Sequence, residues 1–256
     1  MKIQYCSDLH LEFPENKIYL NKNPLPVIGD ILVLAGDVVP FTLMDKYATF
    51  FSWASGHFDH TYWLPGNHEY YYSDISHRSG AFSEKIKSNV TLLNNKVVQH
   101  ENTRLLFSTL WSHISPLHHR VIQHGLSDFH EIRNGDNLFT AEQFNQFHQE
   151  ALNFLFGELA ISYPGQSVVV THHVPTLLNY PAQYKNSELN GAFVTELSDP
   201  IYDSGADYWI YGHHHQNTLE FKIGHTRLLT NQLGYVRYRE NKGFEGFCLG
   251  GLKVSG

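Results

Sequence analysis

The chain has 256 residues, a net charge of −7, 42% hydrophobic and 14% aromatic side chains, and 18 histidines. That is enough apolar chain for one large domain or two small ones, and the acid surplus weighs against a nucleic-acid partner, whose backbone is gripped by excess lysine and arginine. No stretch is apolar for long enough to span a membrane, no apolar signal region opens the chain, and Cys6 and Cys248 form no CxxC pair, so a cytoplasmic protein with buried free thiols is expected.

In chain order, residues 2–6 (KIQYC) and 30–37 (DILVLAGD) read as short strands, the second an unbroken apolar run suited to burial on both faces. Residues 41–56 predict a helix. Residues 60–69 (HTYWLPGNHE) predict a strand broken by Pro65 and Gly66, and residues 74–88 a further helix. A strand over 90–95 is followed by a hairpin over 96–111, turning near Asn102. Residues 112–140 are rich in His, Asp, Gly and Asn and read as a long loop or cap; such segments are often functional. Apolar residues at helical spacing fill 141–163, ending before Pro164. Residues 166–173 predict a strand, 192–203 a helix, 206–215 a strand, and 218–254 strands joined by tight turns such as IGHT at 223–226. Helices alternate with strands early and hairpins dominate late. This predicts an α/β fold, one domain over residues 1–256 with two sheets, helices outside them, and a cap or loop insertion at 112–140.

The polar residues fall at strand ends. Asp8 and His10 follow the first strand, Asp37 the second, and Asn67 and His68 the third. His172 and His173 follow the strand ending at Thr171, and His213, His214 and His215 follow the one ending near Tyr211. Ligands of α/β sheets bind outside the carboxyl ends of strands, so side-by-side strands would gather these groups on one rim. Residues two apart on extended chain point to the same side, which pairs Asp8 with His10 and His213 with His215. Mixed oxygen and nitrogen donors suit manganese, iron, zinc, cobalt or nickel. The two oxygens of Asp37 are able to bridge two such ions, which at about 3.5–4 Å apart clamp a phosphoryl group.

The stretches DLH (8–10), GD (36–37), GNHE (66–69), THH (171–173) and GHHH (212–215), in that order and each after an apolar strand, resemble the calcineurin-like metallophosphoesterase superfamily. The resemblance implies a four-layer fold, a two-sheet β-sandwich flanked by helices, and a centre of two divalent ions. Asp8, His10, Asp37 and His215 would hold one ion, and Asp37, Asn67, His172 and His213 the other. His68 would be the catalytic residue, stabilising the transition state or protonating the leaving oxygen while a hydroxide bridging the metals attacks phosphorus. His214 would face away. Either residue of the pair 172–173 is able to be the ligand. Its place directly after Thr171 favours His172 and leaves His173 near substrate or behind the ligands.

Further candidates are weaker. His113 follows a strand and would reach the pocket, or lie solvated in its loop. Tyr71 would touch substrate or pack the rim, and Asn190 would contact substrate or cap the next helix. The segment GDVVPFT (36–42) has no arginine after Asp37, unlike the resembling phosphoserine and phosphothreonine phosphatases. The simpler motif set is similar to small bacterial-type phosphodiesterases. The tail at 231–244 resembles an Asn-Pro-x-Gly-Tyr tail with Gln232 in place of proline. The expected substrate is a phosphodiester or small phosphorylated metabolite or nucleotide. The alternatives are a metal-dependent nuclease of the same fold, disfavoured by the acidic balance, and a non-catalytic scaffold, disfavoured because every implied ligand position is filled.

Overall fold

The computed structural model describes residues 1–245. A first sheet is built from β1 (Ile3–Cys6), β2 (Ile31–Ala35), β3 (His60–Leu64), β4 (Phe82–Lys87) and β5 (Val90–Asn94), in the order β1-β2-β3-β5-β4. Its pairs are parallel except the β4–β5 hairpin. A second sheet contains β6 (Lys96–His100) and β7 (Thr103–Ser108). After the small β8 (Arg133–Asn134) and β9 (Asn137–Leu138) hairpin come its remaining strands, β10 (Gln166–Thr171), β11 (Tyr208–Tyr211), β12 (Phe221–Ile223) and β13 (Thr226–Thr230). Its order is β12-β13-β11-β10-β7-β6, with β7, β10, β11 and β13 parallel. The helices are α1 (Pro14–Lys22), α2 (Ala48–His57), α3 (His119–Gly125), α4 (Asp128–Glu131), α5 (Ala141–Leu159) and α6 (Ser198–Asp203).

Alternation along the strands explains the layering. Ile31, Val33 and Ala35 of β2 share a buried cluster with Leu105 and Phe107 of β7 and Val168 and Val170 of β10, which forms the core between the sheets. The other face of β2, Leu32 and Leu34, packs with Trp63 and with Phe51 and Ala54 of α2. Across the molecule, Leu106, Val169 and Trp209 pack with Ala151, Leu155 and Leu159 of α5. Both sheets are thus covered on both faces, as the apolar runs predict. Helix α5 begins on a capping box, with Thr140 and Gln143 exchanging side-chain and backbone hydrogen bonds.

Several sequence-based elements differ. Residues 74–88 form a short 3-10 turn, Ile75–Arg78, and then β4 instead of a helix. Gly80 takes φ +64 before the strand, and pairing with β5 at the sheet edge overrides local preference. The exposed side chains there are Ser83 and Lys85, on an edge strand. Helix α1 is an element absent from the sequence reading. The predicted helix at 192–203 is split: Val194 pairs with Val174 and only α6 is α-helical. Between β13 and residue 245 no strand forms. A 3-10 turn, Val236–Tyr238, lies there; Gln232 makes only an isolated bridge with Ser7, and the side chains of Gln232, Tyr235 and Glu240 bond into neighbouring loops. Residues 246–254 of the predicted strands, and Cys248, lie outside the described residues. Residues 112–140 hold a 3-10 turn (Pro116–His118), α3, α4 and the β8–β9 hairpin. Ile122, Phe129 and Phe139 in it join the same buried cluster as α2. No helix among the described residues is long and apolar enough to cross a membrane.

Candidate metal centre

Strands β1, β2 and β3 run parallel in the first sheet and β10 and β11 parallel in the second, and the chain turns sharply after β1, β2 and β11. Asp8, His10, Asp37, His213 and His215 have φ of 56°, 44°, 55°, 79° and 53°. The left-handed region costs a residue with a Cβ roughly 1–2 kcal/mol, and strain of this kind clusters at functional sites. The turns are locked by backbone bonds between loops: Asp8 N to Gly36 O at 2.9 Å, His10 N to Asp37 O at 3.0 Å and Gly212 N to His172 O at 3.0 Å.

Two groups of donors result at the strand ends, beside a third at the rim formed by His10, Glu12 and His68. Asp8, His10, Asp37 and His215 each place a donor atom within 4.8 Å of the others. His10 Nε2 is 3.0 Å from His215 Nε2 and 3.7 Å from Asp37 Oδ2, and His215 Nε2 is 3.4 Å from Asp8 Oδ1. Asp37, His172 and His213 form a second group on the same criterion. There His172 Nε2 lies 3.1 Å from His213 Nδ1 and 3.3 Å from Asp37 Oδ1. Asp37 therefore turns one oxygen to each group. Two glycines make the close approach possible: a Cβ on Gly66 would sit 2.1 Å from Asp37 Oδ1, and one on Gly36 2.2 Å from His172 Nδ1.

The donor set fits a metal. Asn67 Nδ2 donates to Asp128 Oδ1 at 2.8 Å, which leaves its carbonyl Oδ1 buried with no partner. An orphaned buried acceptor costs about 1–3 kcal/mol, and a cation removes that cost. The imidazoles are oriented from behind, which fixes the nitrogen turned inward. His215 Nδ1 bonds Glu240 Oε2 at 2.7 Å, His10 Nδ1 bonds Glu12 Oε1 at 3.3 Å and His172 Nδ1 bonds Ala35 O at 2.9 Å. Burial opposes charge on every group, yet the His172 charge and its neighbours hold Asp37 well below the usual carboxylate range. Against the same burial, Asp37 lifts His172 to about 9, and Asp8 and Glu240 lift His215 to about 10. The centre thus strongly favours positive charge beside its carboxylates. Burial pushes His213 and His173 well down, towards the neutral imidazole that binds metal.

Glu69, within the GNHE stretch but given no role by the sequence, ties the second and third loops together. Its Oε2 accepts from Asp37 N at 2.9 Å and Gly66 N at 2.6 Å. Its Oε1 accepts from Val38 N at 2.6 Å and Trp63 Nε1 at 3.0 Å.

The other candidates scatter more. His68 lies at the rim, its backbone N–H on Asp37 Oδ1 at 3.0 Å and its ring stacked on Tyr71 with centroids 4.1 Å apart. Tyr71 donates to Asp128 Oδ1 at 2.7 Å and lines the pocket. His173 stands behind His213, rings 4.1 Å apart, with Nδ1 facing Thr109 O at 3.2 Å; it joins neither donor group. Asn190 lines the pocket and donates to Tyr184 O at 2.6 Å. His113 is exposed and outside the pocket lining. His214 joins neither group and bonds the Gln232 amide, although it edges the pocket.

Sequence reasoning missed Glu12, Asp128, Gln232, Tyr235 and Glu240. Glu12 stands two residues beyond His10, a spacing that would have signalled it. Asp128 comes from the segment at 112–140; Gln232 and Tyr235 fall in the tail stretch NQLGY, whose resemblance to an Asn-Pro-x-Gly-Tyr tail carried no role, and Glu240 follows it with no spacing signal. The pocket over the donors is about 630 Å³ and combines Glu12, Asp128, Glu131 and Glu240 with aromatic residues such as Tyr180 and Phe193.

A family model described as calcineurin-like phosphoesterase matches residues 1–217. An uncharacterized protein of Acanthamoeba polyphaga mimivirus is 33% identical over 267 residues, with 93% of each chain covered. Among solved structures, phosphopantetheinyl hydrolase from Mycobacterium tuberculosis superposes with a TM-score of 0.72 at 18% identity, covering 96% of this chain and 94% of that one; this is a likeness of fold. The matched residues include every donor of both groups, and the chain belongs to the calcineurin-like phosphoesterase family of metal-dependent phosphoesterases.

Proposed function

We propose that the chain hydrolyses small phosphodiesters at a pair of divalent cations. Asp8, His10, Asp37 and His215 hold one, and Asp37, Asn67, His172 and His213 hold the other. The mixed carboxylate, amide and imidazole donors suit manganese, iron, zinc, cobalt or nickel. When bound, such ions polarise the phosphoryl group and lower the pKa of water. His68 stands beside the phosphoryl position, where it stabilises negative charge developing in the transition state.

The observation that carries the diester reading is the charge of the pocket. Among the described residues its lining has carboxylates and aromatic rings but neither lysine nor arginine. A phosphomonoester dianion would face Glu12, Asp128, Glu131 and Glu240 with the cations and His68 alone to offset them. A diester carries one negative charge and offers a second group for the aromatic wall. The same lining disfavours a polynucleotide, whose flanking phosphates need basic contacts. Steady-state assays with manganese, nickel or zinc should give kcat/KM for bis-p-nitrophenyl phosphate at least about tenfold above that for p-nitrophenyl phosphate, a difference of about 1.4 kcal/mol in transition-state stabilisation. Preference for the monoester would overturn the reading.

A further inference from the structure

Both ring nitrogens of His68 face protein groups. Nδ1 faces Glu12 Oε1 at 3.7 Å, and Nε2 faces the Tyr235 hydroxyl at 3.2 Å. Tyr71 stacks on its ring, and its backbone is pinned to Asp37. Tyr235 lies beyond the residues that match the family model and comes from the turn after β13. Its own position is fixed on both sides. Tyr235 N donates to Glu240 Oε2 at 2.8 Å, Asn16 Nδ2 donates to Gly234 O at 2.8 Å, and Val236 N donates to Asn16 Oδ1 at 3.1 Å. The ring lies over the first donor group, with centroids 4.6 Å from His10 and 4.5 Å from His215, and it also lines the pocket.

We propose that Tyr235 is a catalytic residue that relays a proton from His68 to the departing ester oxygen, a role resting on the phosphodiesterase reading above. Water forms the new P–O bond and gives up a proton to solvent. The bond to the leaving group breaks with its electron pair on the ester oxygen. That oxygen takes the Tyr235 hydroxyl proton, the Tyr235 oxygen takes the proton on His68 Nε2, and solvent reprotonates His68. The hydroxyl stands 3.2 Å from His68 Nε2 and both side chains line the pocket, so the hydroxyl is placed to pass a proton from the ring to an oxygen bound there.

The test uses aryl methyl phosphates whose leaving groups run from p-nitrophenol through phenol to p-methoxyphenol. A good leaving group departs as the anion, whereas a basic one needs the proton. Tyr235→Phe keeps the ring and removes the relay. Its kcat/KM should fall within about threefold of the parent on the p-nitrophenyl ester but by roughly tenfold to a hundredfold on the most basic leaving group. Metal content should be unchanged, and the Nε2 resonance of His68 should shift in zinc-loaded protein as its hydrogen bond is lost. Added to His68→Ala, the Tyr235→Phe change should cost nothing more, because the two act as one unit. Equal losses along the series, or full additivity with His68→Ala, would overturn the relay. A parent chain that hydrolyses no member, even the p-nitrophenyl ester with metal present, would instead overturn the phosphodiesterase reading and the relay with it.

Discussion

Glu240 shows how a single residue outside the donor set governs it. Its carboxylate accepts from both His215 Nδ1 and Tyr235 N, which fixes the His215 tautomer and turns Nε2 inward. A neutral amide keeps the size but weakens the hold. Glu240→Gln should reduce metal affinity by roughly 10–100-fold while leaving kcat near the parent value once metal is saturating. Titration with zinc followed by assay at excess metal separates the two effects, and unchanged affinity would remove Glu240 from this role. Asn67 makes the complementary point. Asp128 takes both hydrogen bonds on one oxygen, and this orients the amide so that its carbonyl faces inward without a protein partner.

At the scale of elements, the loops after β2 and β3 act as one unit because Glu69 accepts four donors, two on each oxygen. Glu69→Gln turns one accepting corner into a donor that faces other N–H groups. The loss should be about 1–3 kcal/mol of stability per unsatisfied group, measured as a lower urea midpoint at unchanged slope. A midpoint equal to the parent's would mean that the two loops hold together without this carboxylate. The edge strand β4 is a different case. Its sequence looks helical in isolation, and only the neighbour strand β5 supplies the ladder that makes it a strand.

For the whole molecule, the centre is where stability was given up. Five donors sit in left-handed backbone, and Asp8 and Asp37 repel one another in a buried site. Bound cations offset both. Binding at a hundredfold excess over Kd adds about 2.7 kcal/mol, which for a chain of this size is roughly 5–10 °C in melting temperature. Chelation should therefore lower the melting temperature by that order, and readdition of manganese or zinc should restore it, as read by calorimetry. A melting temperature indifferent to chelator would mean that the donor groups hold no ion.

The sequence by itself determined the strands β1, β2, β3, β10 and β11 and the polar residues that follow them, because a buried strand writes itself as an unbroken apolar run and a turn at its end leaves the next side chains at the rim. Asp8, His10, Asp37, His172, His213 and His215 were legible for that reason, and Asn67 through its place after Gly66. Only the tertiary structure decided that His172 rather than His173 joins the donors, since the choice depends on which ring clears Gly36 and Gly66. It also decided that Asp128 orients Asn67 and that the tail delivers Gln232, Tyr235 and Glu240 to the centre. Those contacts join residues from 17 positions apart, for Gln232 and His215, to 220 for Asn16 and Val236. No local period records them, because they exist only where two packed sheets bring separate loops to one edge.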